Sequence, residues 1–306
     1  MSRLKRWIVT ALAMVNIASA CGTASAPPIL RYRYGPGDVL VYDLVSDFTI
    51  RERDLMTDNV RVTEFQTIEE MTLSVTEGPT PDTVRLTLVI VRTAEEVDGV
   101  PVPVTAPESS VSVVVDSQGK ILEASTTGFD ELEEATGGPE NVATAIFGES
   151  RNLGPELPDG PVALGESWST TVTTPFYSTD MTLRSMHTLT EESDTDGRRV
   201  FTIETADAFD PIEIDSLEIM GYVDDLSPEE AADIAEAFER YDLWFGFRIE
   251  VLDAGGTTLL DPDAGVVVRY ELNARFIAEM LSGQRSDPVV EGILEIEARS
   301  IRTLRP

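Results

Sequence analysis

The chain has 306 residues with 55 acidic against 23 basic side chains, a formal charge of −32. So acidic a surface excludes nucleic acid as a partner, because phosphates need a basic face, and it excludes electrostatic adhesion to anionic lipid. Apolar residues make up 42% and charged residues 25%, the balance of a globular chain, and the single cysteine leaves stability to packing alone.

In chain order, Met1–Arg6 is a short basic segment, Trp7–Ile17 an apolar run, and Ala18-Ser19-Ala20 a group of small residues before Cys21. That order is a secretory signal, too short for a membrane span. It resembles the lipobox of bacterial lipoproteins, with Ala18 where that motif usually carries leucine. The expectation is a signal peptide at 1–20, lipidation of Cys21, and a flexible tether over 21–29. Ordinary signal peptidase cleavage after Ala20 or Ala26 is the alternative. Lipidation places the protein outside the cytoplasm, anchored either on the outer face of the plasma membrane or at an outer membrane. Removing residues 1–20 takes away Arg3, Lys5 and Arg6 and no acid, so the acyl chains alone would hold the membrane.

From residue 40 onward, apolar and polar residues alternate with period two. Leu40, Tyr42, Leu44, Phe48 and Ile50 share one face, opposite Asp43, Asp47, Thr49 and Arg51. Val268, Tyr270, Leu272, Ala274 and Phe276 oppose Arg269, Glu271, Asn273 and Arg275, and Leu294, Ile296 and Ala298 oppose Glu295, Glu297 and Arg299. Each run predicts a strand with one buried face, and their length predicts wide, curved antiparallel sheets. Asp98-Gly99, Gln118-Gly119, Asp196-Gly197 and Ala264-Gly265 supply the positive φ of tight hairpins. Ser227-Pro228-Glu229-Glu230 predicts a capped helix at 228–240, and a weaker helix falls at 129–147.

An internal repeat runs through this pattern. Pro36-Gly37-Asp38 and Leu164-Gly165-Glu166 each open a run of strands, while Val113–Ile121 resembles Leu259–Val267 as strand, acidic turn, glycine, strand. The predicted class is mainly β (α+β), with two related lobes and a few covering helices. The first β lobe spans 30–124, a helical connector 125–162, and the second lobe 163–306.

The chain also resembles a family of uncharacterised bacterial lipoproteins known only as a domain of unknown function. The likeness rests on Tyr34–Tyr42, Leu157–Trp168, Gly256–Gly265 and the Cys21 signal. It implies no activity and no catalytic residues. The layout is further similar to the lipoprotein-carrier superfamily, in which a curved antiparallel half-barrel cups acyl chains under helical lids.

No catalytic constellation emerges. His187 is the only histidine, and no Gly-x-Ser-x-Gly elbow offers it a nucleophile, so a strand histidine on a sheet face is expected. Glu192–Gly197 fails as an EF-hand because Ile203 stands at the twelfth position, and Asp261–Gly265 reads as a charged hairpin turn. Paired carboxylates such as Glu69-Glu70 and Glu95-Glu96 are too abundant to single out an acid and a base. Neither metal nor cofactor is expected. The richest aromatic stretch, Trp244, Phe245 and Phe247, with Ile234 and Phe238 on the predicted helix, is the candidate ligand-binding set, against ordinary core packing. The reading is a non-enzymatic cell-envelope lipoprotein that binds a lipid or other apolar small molecule in a curved β-sheet cavity. The alternative is an interaction protein that recruits a so far unspecified envelope protein through its acidic surface or a sheet edge.

Overall fold

Period-two alternation dictates extended backbone, and nearly all the described chain adopts it. The computed structural model describes residues 27–104, 109–127, 154–176, 179–195, 197–215, 240–241, 243–284 and 287–306. These form β1 (Val39–Asp54), β2 (Asn59–Glu77), β3 (Thr83–Val97), β4 (Val100–Pro101), β5 (Ser109–Asp116) and β6 (Ile121–Thr127). There follow β7 (Ser167–Phe176), β8 (Thr179–Thr195), β9 (Arg198–Phe209), β10 (Ile212–Asp215), β11 (Leu243–Asp261), β12 (Val266–Gln284) and β13 (Asp287–Leu304). The four predicted glycine turns are present, with positive φ at Gly99, Gly119, Gly197 and Gly265.

The expectation of two lobes is corrected: the strands form one antiparallel sheet in the order β6-β5-β3-β2-β1-β13-β12-β11-β9-β8-β7, with β4 on β3 and β10 on β11. Two separate lobes would each end in a long strand with a free row of N–H and C=O groups. β13 removes both edges, pairing with β1 from Tyr42↔Leu304 to Asp54↔Gly292 and with β12 along nearly its whole length. The boundary at 124 also shifts, since β6 continues to Thr127, and residues 154–162 are irregular rather than helical. The covering helices of the sequence reading, at 129–147 and 228–240, lie outside the described residues except for Arg240, which is helical with Tyr241; no other described residue is helical.

The repeat nevertheless survives in the turns. Before β1, Asp38 N–H donates to Gly35 C=O, Gly35 N–H to the Asp38 carboxylate, and Gly37 N–H to Val75 C=O. Before β7, Glu166 N–H donates to Ala163 C=O, Ala163 N–H to the Glu166 carboxylate, and Gly165 N–H to Leu189 C=O. In the β5–β6 turn the Asp116 carboxylate accepts from the N–H groups of Gln118 and Lys120, and in the β11–β12 turn Asp261 accepts from Asp263 and Ala264. β1-β2-β3-β5-β6 and β7-β8-β9-β11-β12 are thus two meanders of one plan, joined edge to edge through β13.

The sheet is rolled at one end. The β5–β6 and β11–β12 turns are six strand spacings apart in sheet order, about 29 Å if the sheet were flat. Yet Tyr32 N–H donates to Ser117 C=O in the first turn, and its neighbour Arg33 donates to Gly265 C=O in the second. Residues 28–34 therefore stitch the rolled end, and residues 154–163 close it further. Val162 N–H donates to Pro28 C=O, Leu157 N–H to Gln118 C=O, and the Arg31 guanidinium to the carbonyls of Pro158 and Asp159, both at 2.7 Å. The core fills this end, with Leu73, Leu86, Val113, Leu189, Ile203, Leu260 and Val267 almost wholly buried beneath Leu30 and Leu157. Each such side chain stabilises the fold by roughly 1.5–3 kcal/mol relative to exposure.

Candidate functional site

The same alternation that builds the core continues past it, and pairing turns it into rows across the inner face. Nearest the core, Thr258, Tyr270, Arg302, Leu44 and Glu69 lie in register across β11, β12, β13, β1 and β2. Two residues on, the row is Gly256, Leu272, Ser300, Ser46 and Thr67, where the Ser46 and Ser300 hydroxyls bond at 2.8 Å. Next come Ala254, Ala274, Ala298, Phe48 and Phe65, then Val251, Phe276, Ile296, Ile50 and Thr63. From the Ser46–Ser300 pair to Ile50, Ile296 and Phe276, the inner face of β1, β12 and β13 is thus apolar and only partly covered; Glu52 follows opposite Leu294, and Ala278 is buried.

The outer face is the opposite in character. Arg51 pairs with Glu295 at 3.1 Å, Arg299 with Glu271 at 2.8 Å, and Arg305 with both Asp43 and Glu70. Exposed pairs of this kind contribute little to stability each, but they mark a surface that faces water. Arg305 holds the Asp43 carboxyl below the usual aspartate range by hydrogen bonding.

Arg302 breaks the inner pattern. It is 2% exposed, its guanidinium lies 4.8 Å from the Tyr42 ring centre and 5.7 Å from that of Tyr270, and its Nε and Nη2 have no hydrogen-bond partner among the described residues. The Thr258 hydroxyl in the same row is likewise unsatisfied and buried. A guanidinium cannot shed its proton. Leaving it buried and unpaired costs several kcal/mol, whereas each ring contact contributes only about 0.5–2 kcal/mol. The inner-face carboxylate closest in register, Glu69, is held by Arg92 at 3.0 Å, and Arg92 also binds Glu95 at 2.9 Å. Burial raises the phenols of Tyr32, Tyr34 and Tyr42, with the Arg302 charge working against it, so these phenols stay neutral around the cation.

His187 behaves as a strand histidine. It is fully buried between β7 and β9, with Nε2 2.9 Å from Thr170 Oγ1, Nδ1 2.9 Å from Thr205 Oγ1, and the Trp168 ring 5.3 Å away. Burial lowers its pKa to about 4, which keeps the ring neutral. The Trp168 indole donates to the Glu156 carbonyl at 2.8 Å.

The sequence-derived ligand set is only partly placed. Ile234 and Phe238 lie outside the described residues, as does Cys21. Trp244 and Phe245 fall on β11 opposite Gly283 and Ser282, their side chains not among those described. Phe247 is half-buried, opposite Met280 on β12 and Ile214 on β10. Arg302 was missed, although the signal was present: extending the alternation from Ala298 puts Ser300 and Arg302 on the apolar phase.

No protein-family model matches the chain, and no curated protein is similar to it. Among solved structures, DynF from the dynemicin biosynthesis pathway of Micromonospora chersina aligns over 91% of this chain and 89% of its own, at 7% identity and a TM-score of 0.19. A mutant porin of Rhodopseudomonas blastica aligns over 88% of this chain and 99% of its own, at 8% identity and a TM-score of 0.18. Likenesses at that level carry no inference about fold or function.

Proposed function

We propose that this chain is a non-enzymatic cell-envelope lipoprotein, anchored outside the cytoplasm through Cys21, that holds an amphipathic or apolar ligand against its inner sheet face. The observation that carries this reading is the set of apolar rows running on from the packed core, from Ala298 and Ala274 through Ile296, Phe276 and Ile50, on the face opposite the charged ladder. A solid structural sheet has no use for partly covered apolar side chains on its rolled side, whereas a ligand cradle requires them.

A second reading has one observation of its own. Among the described residues β6 and β7 end the sheet and pair with no further strand, so either edge offers backbone groups to an envelope partner. One experiment separates the two. The purified full-length protein is extracted with organic solvent, which leaves an acyl group on Cys21 in place, and the extract and intact protein are weighed by mass spectrometry. A lipid at fixed stoichiometry is expected; a clean extract, together with a native mass unchanged after incubation with membrane lipids, overturns the proposal and favours the edge-binding alternative.

A further inference from the structure

Resting on the ligand-cradle reading, we infer that Arg302 is the head-group receptor, and that the ligand is a single-chain amphiphile ending in a carboxylate. The two unsatisfied nitrogens, Nε and Nη2, are the pair that forms the side-on fork of a guanidinium. This chain uses that fork elsewhere: Arg299 binds one Glu271 oxygen through Nε at 3.1 Å and Nη2 at 2.8 Å, and Arg53 binds Asp58 through the same two atoms at 3.2 and 2.7 Å. At Arg302 the fork is present, and no described residue brings a carboxylate to it.

The surroundings select the head. Tyr42 and Tyr270 lie over the guanidinium at 4.8 and 5.7 Å, so its approach is bounded by aromatic faces, which favour a planar head group over a bulky one. Buried phenols that stay neutral leave the single positive charge to be matched by a single negative one. Thr258 Oγ1, unsatisfied in the same row, and the Ser46–Ser300 pair in the next supply further hydroxyls. The tail then follows β13 away from the core, over Ala298, Ile296 and Leu294, flanked by Ala274, Phe276 and Ala278 of β12. From Arg302 to Leu294 is about 27 Å of extended strand, and one acyl chain spans about half of a roughly 30 Å bilayer core. Head and tail therefore both fit on the one face.

The test compares palmitate with hexadecanol, equal in chain length and differing in charge, on the full-length protein and on Arg302→Met. The native protein is expected to bind palmitate at least about tenfold tighter than hexadecanol, one charge-assisted fork being sufficient for that ratio. Arg302→Met should bind both alike. Because the substitution removes an unpaired buried charge, the ligand-free variant should melt higher than the native protein, whereas an arginine kept for stacking on Tyr42 and Tyr270 would make it melt lower. Equal binding of the two amphiphiles by both proteins overturns the role of Arg302 and leaves the cradle standing; no binding of either overturns both. Should Arg302→Met fail to fold, carboxyl-labelled palmitate on the native protein decides by NMR: a bound carboxyl ionised well below its free pKa supports the fork, and one titrating at or above that pKa refutes it.

Discussion

Acidification from pH 7 to pH 5 should destabilise this protein chiefly through His187. His187 is fully buried, and desolvation lowers its pKa from 6.5 to about 4. The unfolded chain takes up a proton near pH 6.5 and the folded chain only near 4, so the unfolded state binds more protons throughout that window. Stability is therefore complete above about 6.5, falls as pH drops toward 4, and loses nothing further from this group below it. A shift of this size corresponds to about 3 kcal/mol in total, of which about 2 kcal/mol is lost between pH 7 and pH 5.

The assay is urea unfolding at half-unit pH steps, followed by tryptophan fluorescence, in which Trp168 reports from 5.3 Å beside the imidazole. The control is His187→Gln, whose amide can still donate to one threonine and accept from the other but does not titrate. Carboxylates held low by hydrogen bonds, such as Asp43, Asp54 and Asp210, also lose stability on acidification, but they do so as pH falls below the ordinary aspartate range toward their lowered values, and in both proteins alike. The difference between the two curves isolates the histidine. If native and His187→Gln stabilities fall in parallel from pH 7 to pH 5, the ring is not held neutral by burial and the reasoning fails.

Gly265→Ala places a Cβ 2.5 Å from the Arg33 nitrogen at a φ of +67°, so it should cost about 1–3 kcal/mol or more, read as a lower denaturation midpoint. Ile203→Ala empties a fully buried site and should cost about 2–5 kcal/mol in the same measurement. Arg31→Ala removes the donors to Pro158 and Asp159 C=O, and hydrogen exchange at the Leu157 and Val162 amides should accelerate while that of the β12–β13 ladder stays unchanged. Mass spectrometry of the mature N-terminus should find diacylated Cys21; an unmodified start at Cys21 or Pro27 would sink the anchor.

The strands and their tight turns were legible because their signals are local. Leu40, Tyr42 and Leu44 against Asp43 and Asp47 fix which side of β1 is buried without any knowledge of its partners, and Ala264-Gly265 fixes where β11 ends. The joining of the meanders was not legible, because β13 has no counterpart in the repeat and nothing in Leu294–Ala298 says that both its edges are taken. The aromatic run at 244–247 attracted attention by density, yet density does not distinguish core from cradle. Arg302 carried the better signal in its phase: it keeps step with Leu294, Ile296 and Ala298, where alternation calls for an apolar residue. A charged side chain out of phase with its strand is a violation that packing cannot explain locally.

His187 and Arg302 show how differently the same violation is resolved. Both are buried, on inner rows of the same sheet, and both carry nitrogens that must be hydrogen-bonded. Imidazole can give up its charge, and two threonine hydroxyls then satisfy both ring nitrogens, so His187 is complete within the chain. Guanidinium keeps its charge at any pH at which the protein folds, and neutral phenols cannot balance it. No described residue supplies the balancing anion, and on the proposed reading the ligand does. Arg302 lies toward the rolled end, where Tyr32, Arg33, Leu157 and Val162 tie the turns together, while the apolar rows run on along β1, β12 and β13 toward the less covered end. If the proposed ligand sits there, a head site at the packed end with an open-ended track would accept tails of several lengths and still read one charge.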